Sequence, residues 1–243
     1  MDTRRSTPVR HNTIPPEACS TDLRRRLLRE SPFFADLTGG DIDRVNARFN
    51  DVGYEPGRAI IREGDPATRL GIVAAGVVKL FNYGDSGNLV LIDVLGPGDH
   101  FGSIAGFGPD TYQESAQASD LVCALQIDAS VFRTLLETIP AIAVRAVEVL
   151  SNRLRLSHEL VRQLGAHNAE SRVAYVLKRL ATRFGRSWEH MTLIDVSLSR
   201  EEIAAMAGIQ TETCSRILSA MRRDGIVEAG RGWVAVRDPA RLE

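Results

Sequence analysis

Cysteine is scarce in this chain of 243 residues: Cys19, Cys123 and Cys214 are the only three, set roughly a hundred residues apart. That spacing contains no C-x-x-C pair and shows no disulfide framework, so a reducing cytoplasm is the expected compartment. Long apolar runs are missing too. The longest, Leu70 to Val78, has nine residues, about half of what a membrane-spanning helix needs. No apolar stretch follows the arginines near the N-terminus, so neither membrane spanning nor Sec export is expected. The five histidines, His11, His100, His158, His167 and His190, form no H-x-H or H-E-x-x-H pattern, which removes the usual metal-enzyme signatures and leaves open a lone haem ligand among them. Serine hydrolase signatures are absent. Gly96-Pro97-Gly98 through Gly102 precedes no helix of the kind a dinucleotide fingerprint requires. What is present is ordinary for a folded globular protein, with 44% hydrophobic and 25% charged residues.

The net charge of −1 hides an asymmetry. Residues 20–139 carry 11 basic and 17 acidic side chains, whereas residues 140–243 carry 16 basic and 12 acidic. The C-terminal part is therefore the one suited to a polyanion, although solvated helix faces would give the same count.

Residues 1–20, with Pro8, Pro15 and Pro16 among polar residues, read as a flexible arm. Short helices are expected over Asp22 to Leu28 and, after a break at Gly39-Gly40, over Asp41 to Phe49. From Asp51 onward, glycines punctuate short Ile, Val and Leu segments, a spacing typical of an all-β barrel with roughly eight strands. Candidates are Ala59 to Arg62, Arg69 to Ala74, Val77 to Tyr83, Asn88 to Leu95, Gln113 to Ala118 and Leu121 to Gln126. After Pro140 the period becomes helical. Ala143, Val147, Leu150, Leu154, Ser157, Val161 and Leu164 make a heptad seam, and Ile142, Ala146, Val149, Leu156 and Leu160 a second stripe. One stripe can cover the barrel while the other meets a second copy of the chain, although one buried helix in a monomer would also carry both. The expected organisation is an arm (1–20), a β-barrel (21–138), a dimerisation helix (139–165) and a compact C-terminal domain (166–243), an α+β fold overall.

Within the C-terminal domain, Ser199-Arg200-Glu201-Glu202 is a capping box that starts a helix. A turn around Gly208 leads to a second helix, Thr211 to Asp224, and a hairpin of Gly225 to Glu228 with Trp233 to Val236 closes a winged helix-turn-helix. On the second helix Thr211, Glu212, Ser215, Arg216 and Ser219 emerge on one side. Arginine can pair bidentately with guanine and glutamate can accept from cytosine, but Glu212 and Arg216 could equally be a surface i, i+4 ion pair. Cys214 falls on the inward face, as a small buried hydrophobe or a redox-sensitive thiol.

Glu-Thr-Cys-Ser-Arg at 212–216, after Ser-Arg-Glu-Glu-Ile-Ala-Ala-Met-Ala-Gly, resembles the CRP/FNR family of transcription regulators. Glu63-Gly64-Asp65-Pro66-Ala67, Gly76-Val77-Val78-Lys79-Leu80 and Gly98-Asp99-His100-Phe101-Gly102 resemble that family's cyclic-nucleotide-type jelly-roll barrel. The resemblance covers residue 25 to the end. It implies a homodimeric activator in the cytoplasm that binds double-stranded DNA and meets RNA polymerase, with Gly84 and Asp85 at a hairpin tip either as the polymerase contact or as an ordinary solvated turn. The triplet Glu212, Ser215, Arg216 has the FNR-type form, which implies an operator resembling TTGAT, four bases, ATCAA. Arg200, Thr211, Ser219, Arg222 and Arg231 are the further candidate DNA contacts, and Val147, Leu150, Leu154, Val161 and Leu164 the dimer seam. Two departures bear on the effector. Ser103 and Glu114 stand where cyclic-AMP receptors have a glutamate for ribose and an arginine for phosphate, so cyclic AMP is not expected. Three cysteines fall short of the four thiolates of a 4Fe–4S cluster, so that cofactor is not expected either. The competing readings are a jelly-roll metal-dependent enzyme and a cyclic-nucleotide-binding regulatory subunit.

Overall fold

A computed structural model of the chain describes residues 7–10, 12, 21–84, 87–104, 107–238 and 242. The fold is α+β and divides into two compact units: residues 12–82 with 92–157, and the described residues before 12 with 83–91 and 158–243.

The barrel has eight strands: β1 (Asn50–Tyr54), β2 (Ala59–Ile61), β3 (Arg69–Ala75), β4 (Val78–Tyr83), β5 (Leu89–Leu95), β6 (His100–Gly102), β7 (Ser115–Ala118) and β8 (Val122–Asp128). They form two sheets, ordered β1-β8-β3-β6 and β2-β7-β4-β5. The apolar run of β3 follows from its position, because it is covered on both faces. Leu70, Ile72 and Ala74 point into a core shared with helices, while Val73 points between the sheets to Val78, Leu80 and Phe101. Its antiparallel partner β8 divides likewise, Leu125 and Ile127 on the helix side and Val122 and Ala124 between the sheets. The helix-side core is closed by α1 (Thr21–Glu30), α2 (Gly39–Asn46), α3 (Ala129–Thr138) and the first turns of α4 (Pro140–Ala166). Phe33 meets Phe132 edge-on at 5.6 Å, a favoured aromatic geometry.

Several expectations change here. Gly39 and Gly40 open α2 instead of breaking the chain, because Thr38 caps the helix by accepting from the Asp41 amide. Strands β1 and β6 went unread: β1 is largely exposed, and β6 is only three residues long. Cys123 is disulfide-bonded, although the cysteine spacing showed no disulfide framework, since distance along the sequence does not measure distance in the fold. Cys19 and Asp85 lie outside the described residues.

On α4, Ile142 and Ala146 are buried in the barrel's core, whereas Val144, Val147, Leu150, Leu154, Val161 and Leu164 are exposed in the single chain.

The C-terminal unit holds α5 (Ala169–Phe184), β9 (Gly185–Trp188), β10 (Met191–Ile194), α6 (Arg200–Ala207), α7 (Thr211–Arg223), β11 (Val227–Gly230) and β12 (Trp233–Val236). Its sheet runs β11-β12-β10-β9. The wing begins two residues later than expected, at Val227 instead of Gly225, because Gly225 adopts a left-handed φ of 69° that ends the helix. The β9–β10 hairpin was also missed. Its two-residue turn, Glu189-His190, has φ of 44° and 64°, the left-handed pair of a type I′ turn without the usual Asn-Gly. The arm differs from expectation as well: Val9 is buried against Met191, Leu193, Trp233 and Ala235.

Candidate nucleic-acid interface

Helix α6 begins with the capping box the sequence implies. The Glu202 amide donates to Ser199 Oγ at 3.1 Å, and the Ser199 amide donates to Glu202 Oε2 at 2.7 Å. Its far end turns at Gly208, which has a φ of 61°; a Cβ there would lie 2.8 Å from Leu164 Cδ2. Left-handed backbone and lack of room both require glycine at this corner. Arg172 Nη1 donates to the Gly208 carbonyl at 3.2 Å, fixing α5 to the turn.

Helix α7 is strongly two-faced. Cys214, Leu218 and Met221 are buried, Glu212, Arg216 and Ser219 are exposed on the opposite side, and Thr211 and Arg222 are exposed on the flank. Buried residues at steps of four and three leave the remaining positions to water or a partner. Glu212 sits in the first turn, where its charge suits the positive end of the helix dipole. Among the described residues no ion pair joins Glu212 to Arg216, one turn away. Arg216 Nη2 donates instead to Thr213 Oγ1 at 3.3 Å. Ser215 is half-buried, and its carbonyl accepts from the Ser219 hydroxyl at 2.7 Å, which turns Ser219 toward its own helix. Arg231 is exposed in the turn between β11 and β12.

Two of the sequence's candidates stand differently. Arg200 is half-buried, burial lowers its pKa, and its Nη1 is enclosed without a partner. Of the proposed phosphate contacts it is therefore the one least presented to solvent. Cys214 is fully buried, and burial pushes its thiol up to about 11, opposed by the Arg200 charge. A reactive thiol needs a stabilised thiolate and access, so the burial of Cys214 favours the small buried hydrophobe of the two roles the sequence leaves open.

The barrel contains a cavity of about 360 Å³ lined by Ser103, Ile104, Phe107, Tyr112 and Glu114, with Leu150 and Arg153 from α4. Arg153 Nη2 lies 3.0 Å from Glu114 Oε1, so the cavity's cation is already matched by its carboxylate. Sequence reading missed this role for Arg153, because 39 residues separate the pair and no periodicity links them. A cyclic phosphate would meet Glu114 where it needs a cation, which fits poorly. His100 is half-buried, edge-on to Phe33 at 4.9 Å, and desolvation, aided by the Arg153 charge, holds its pKa down at about 4. It is not among the cavity's lining residues, and His158, His167 and His190 are exposed, so no histidine among the described residues faces this cavity. No group of three or more His, Cys, Asp or Glu suited to a metal occurs among them. No helix among them is long and apolar enough to cross a membrane.

Residues 51–139 match the cyclic nucleotide-binding domain, and residues 171–243 match the Crp-like helix-turn-helix domain. The cyclic AMP receptor protein of Thermus thermophilus is 31% identical over 217 residues, spanning 89% of this chain and 97% of that protein. A CRP-like cAMP-activated global transcriptional regulator of Mycobacterium tuberculosis is 28% identical, with 89% and 96% covered. The solved structure of FixK2 from Bradyrhizobium japonicum has the same fold, with a TM-score of 0.70 at 24% identity over 80% of this chain and 95% of that one. With a nucleotide-type barrel, a helix-turn-helix and relatives that regulate transcription rather than catalyse, the chain belongs to the CRP/FNR family of DNA-binding transcription regulators.

Proposed function

We propose that the protein works in the cytoplasm as a homodimer that reads an inverted repeat resembling TTGAT, four bases, ATCAA, with one α7 in each half-site. The observation that carries this reading is the exposed face of α7, where Glu212 and Arg216 stand one turn apart with no ion pair between them. Arg216 is assigned to guanine and Glu212 to the cytosine of one G·C pair, with Ser215 beside a neighbouring thymine. Thr211, Arg222 and Arg231 serve as backbone contacts, which orient without specifying. Dimer symmetry sets the half-sites about 34 Å apart. The exposed Val147, Leu150, Leu154, Val161 and Leu164 support the dimer, since burying each large side chain is worth about 1.5–3 kcal/mol. The protein activates by meeting RNA polymerase at Gly84, which follows β4.

The effector is assigned to the barrel cavity and is not cyclic AMP, although relatives at 28–31% identity carry that ligand in their names. The Glu114–Arg153 pair supports this. Half-site selection from random DNA tests the operator, and a consensus without a G·C pair at the α7 position overturns it. Light scattering tests the dimer: Leu154→Arg is expected to yield monomers with operator binding lost. A monomeric parent protein under DNA-binding conditions would sink the proposal. Calorimetry tests the effector, and micromolar cyclic AMP binding abolished by Ser103→Ala would show the assignment wrong.

A further inference from the structure

Among the described residues, the sheet of the C-terminal unit has two apolar faces, and α5 and α7 of that unit pack on one of them. Strand alternation and register sort the residues. Ile194, Thr192, Val234 and Val236 share the face toward α5 and α7, whereas Met191, Leu193, Trp233 and Ala235 share the outer one, with Trp188 opposite Met191. Winged domains do not require an apolar outer face, and Leu193 and Ala235 are wholly buried in it. Val9 is among the residues that cover them.

The backbone on either side of Val9 is held as well. Arg186 Nη2 donates to the Pro8 carbonyl at 3.0 Å, and the Arg10 amide donates to Asp195 Oδ1 at 2.8 Å. Arg186 and Asp195 are themselves paired at 2.7 Å. Burial alone would raise the Asp195 pKa, but hydrogen bonds from Arg186 and from the Arg10 backbone outweigh it and hold the carboxyl below its usual value. One donor, one acceptor and an apolar socket between them make a receptor for an extended tripeptide with a small apolar middle residue. Gly230 belongs to the same device, since a Cβ there would lie 2.2 Å from Trp233 Nε1, so the indole can lie flat only over glycine.

We propose that this outer face is a peptide-binding surface whose ligand is the chain's own Pro8-Val9-Arg10 segment, docked in cis through Arg186, Asp195 and the Trp188–Trp233 socket. The docked segment buttresses the wing strand β12 from behind.

The chain has two tryptophans, Trp188 and Trp233, and both line the socket, meeting edge-on at 5.3 Å. Intrinsic fluorescence therefore reports on this surface alone. Val9→Asp in the full chain, and a chain lacking residues 1–11, are expected to shift tryptophan emission to the red and raise its quenching by acrylamide, with far-ultraviolet dichroism unchanged. Val9→Ile is expected to behave as the parent. A synthetic peptide of residues 5–12 added to the shortened chain is expected to reverse the shift. The same peptide with aspartate in place of Val9 should bind about tenfold or more weakly, and Asp195→Asn in the shortened chain should weaken the parent peptide. Unchanged emission and quenching in Val9→Asp would overturn the docking. Failure of the peptide to restore emission at millimolar concentration would overturn the claim that the surface recognises a linear segment.

Discussion

The barrel cavity and the exposed face of α7 each set a glutamate near an arginine, and they use them in opposite ways. In the cavity, Arg153 and Glu114 lie 3.0 Å apart and satisfy each other. On α7, Glu212 and Arg216 stand one turn apart on an exposed face and do not pair. A pair that closes on itself is finished chemistry, whereas a pair left apart keeps its hydrogen-bonding capacity for something outside the protein. The same two residue types thus mark an internal tie in one unit and the proposed reading surface in the other.

The largest effect that would sharpen this contrast concerns His100, whose pKa is held down by desolvation and by the charge of the same Arg153. Its folded pKa of about 4 lies below the ordinary 6.5, so between those values the unfolded chain binds a proton that the folded barrel refuses. Stability is full above pH 6.5 and falls with acidification by roughly 1.4 kcal/mol per pH unit down to about pH 4. Urea unfolding across pH 4–7 should show that slope, and His100→Phe should flatten it. A parent curve as flat as the variant's would mean His100 titrates normally.

Next in size is Arg216→Ala, expected to cost about 1–3 kcal/mol at one G·C position of the operator while leaving binding to random DNA nearly unchanged. Mobility-shift titrations against operators altered one base at a time measure it. Equal losses on specific and random DNA would make Arg216 a phosphate contact and dissolve the contrast.

A smaller effect is expected for the internal tie. Glu114→Gln or Arg153→Gln should cost about 1 kcal/mol or less, because both partners are partly exposed and screened. Exchanging the two, Glu114→Arg with Arg153→Glu, should recover most of it in thermal unfolding. Single variants and the exchange that unfold alike would mean that the pair contributes nothing.

The smallest change serves as a control that touches neither pair. Glu189→Asn with His190→Gly supplies residues suited to the left-handed turn between β9 and β10 and should stabilise the chain by roughly 0.5–1 kcal/mol with operator affinity unaltered. A lower melting temperature would show that Glu189 or His190 makes contacts worth more than the relieved backbone strain.

How much of this was legible before the structure depended on how local the cause was. The Ser199–Glu202 box and the 4-and-3 spacing of Cys214, Leu218 and Met221 announce themselves within one or two helical turns, so α6, α7 and the face of α7 could be read directly. The glycine-punctuated strands were equally legible because turn residues act over four positions. By contrast, β1 is too exposed to show a clean alternation, and Glu189-His190 carries no turn signal. The Arg153–Glu114 tie and the seat of Val9 were invisible for a different reason. Each depends on groups brought together across 39 or more residues, and a single valine among prolines and polar residues has no period to detect.

The docked segment also changes where this protein can be cut or extended. A C-terminal fragment begun at residue 166 would leave behind Pro8, Val9 and Arg10 and present Leu193, Trp233 and Ala235 bare on its sheet, an apolar patch inviting self-association. A purification tag fused immediately ahead of Thr7 would be carried onto the DNA-binding unit, whereas one placed after the C-terminus leaves the socket filled. Anyone wishing to study the winged domain by itself would do better to graft residues 7–10 back onto it through a flexible tether than to trim at the end of the long helix.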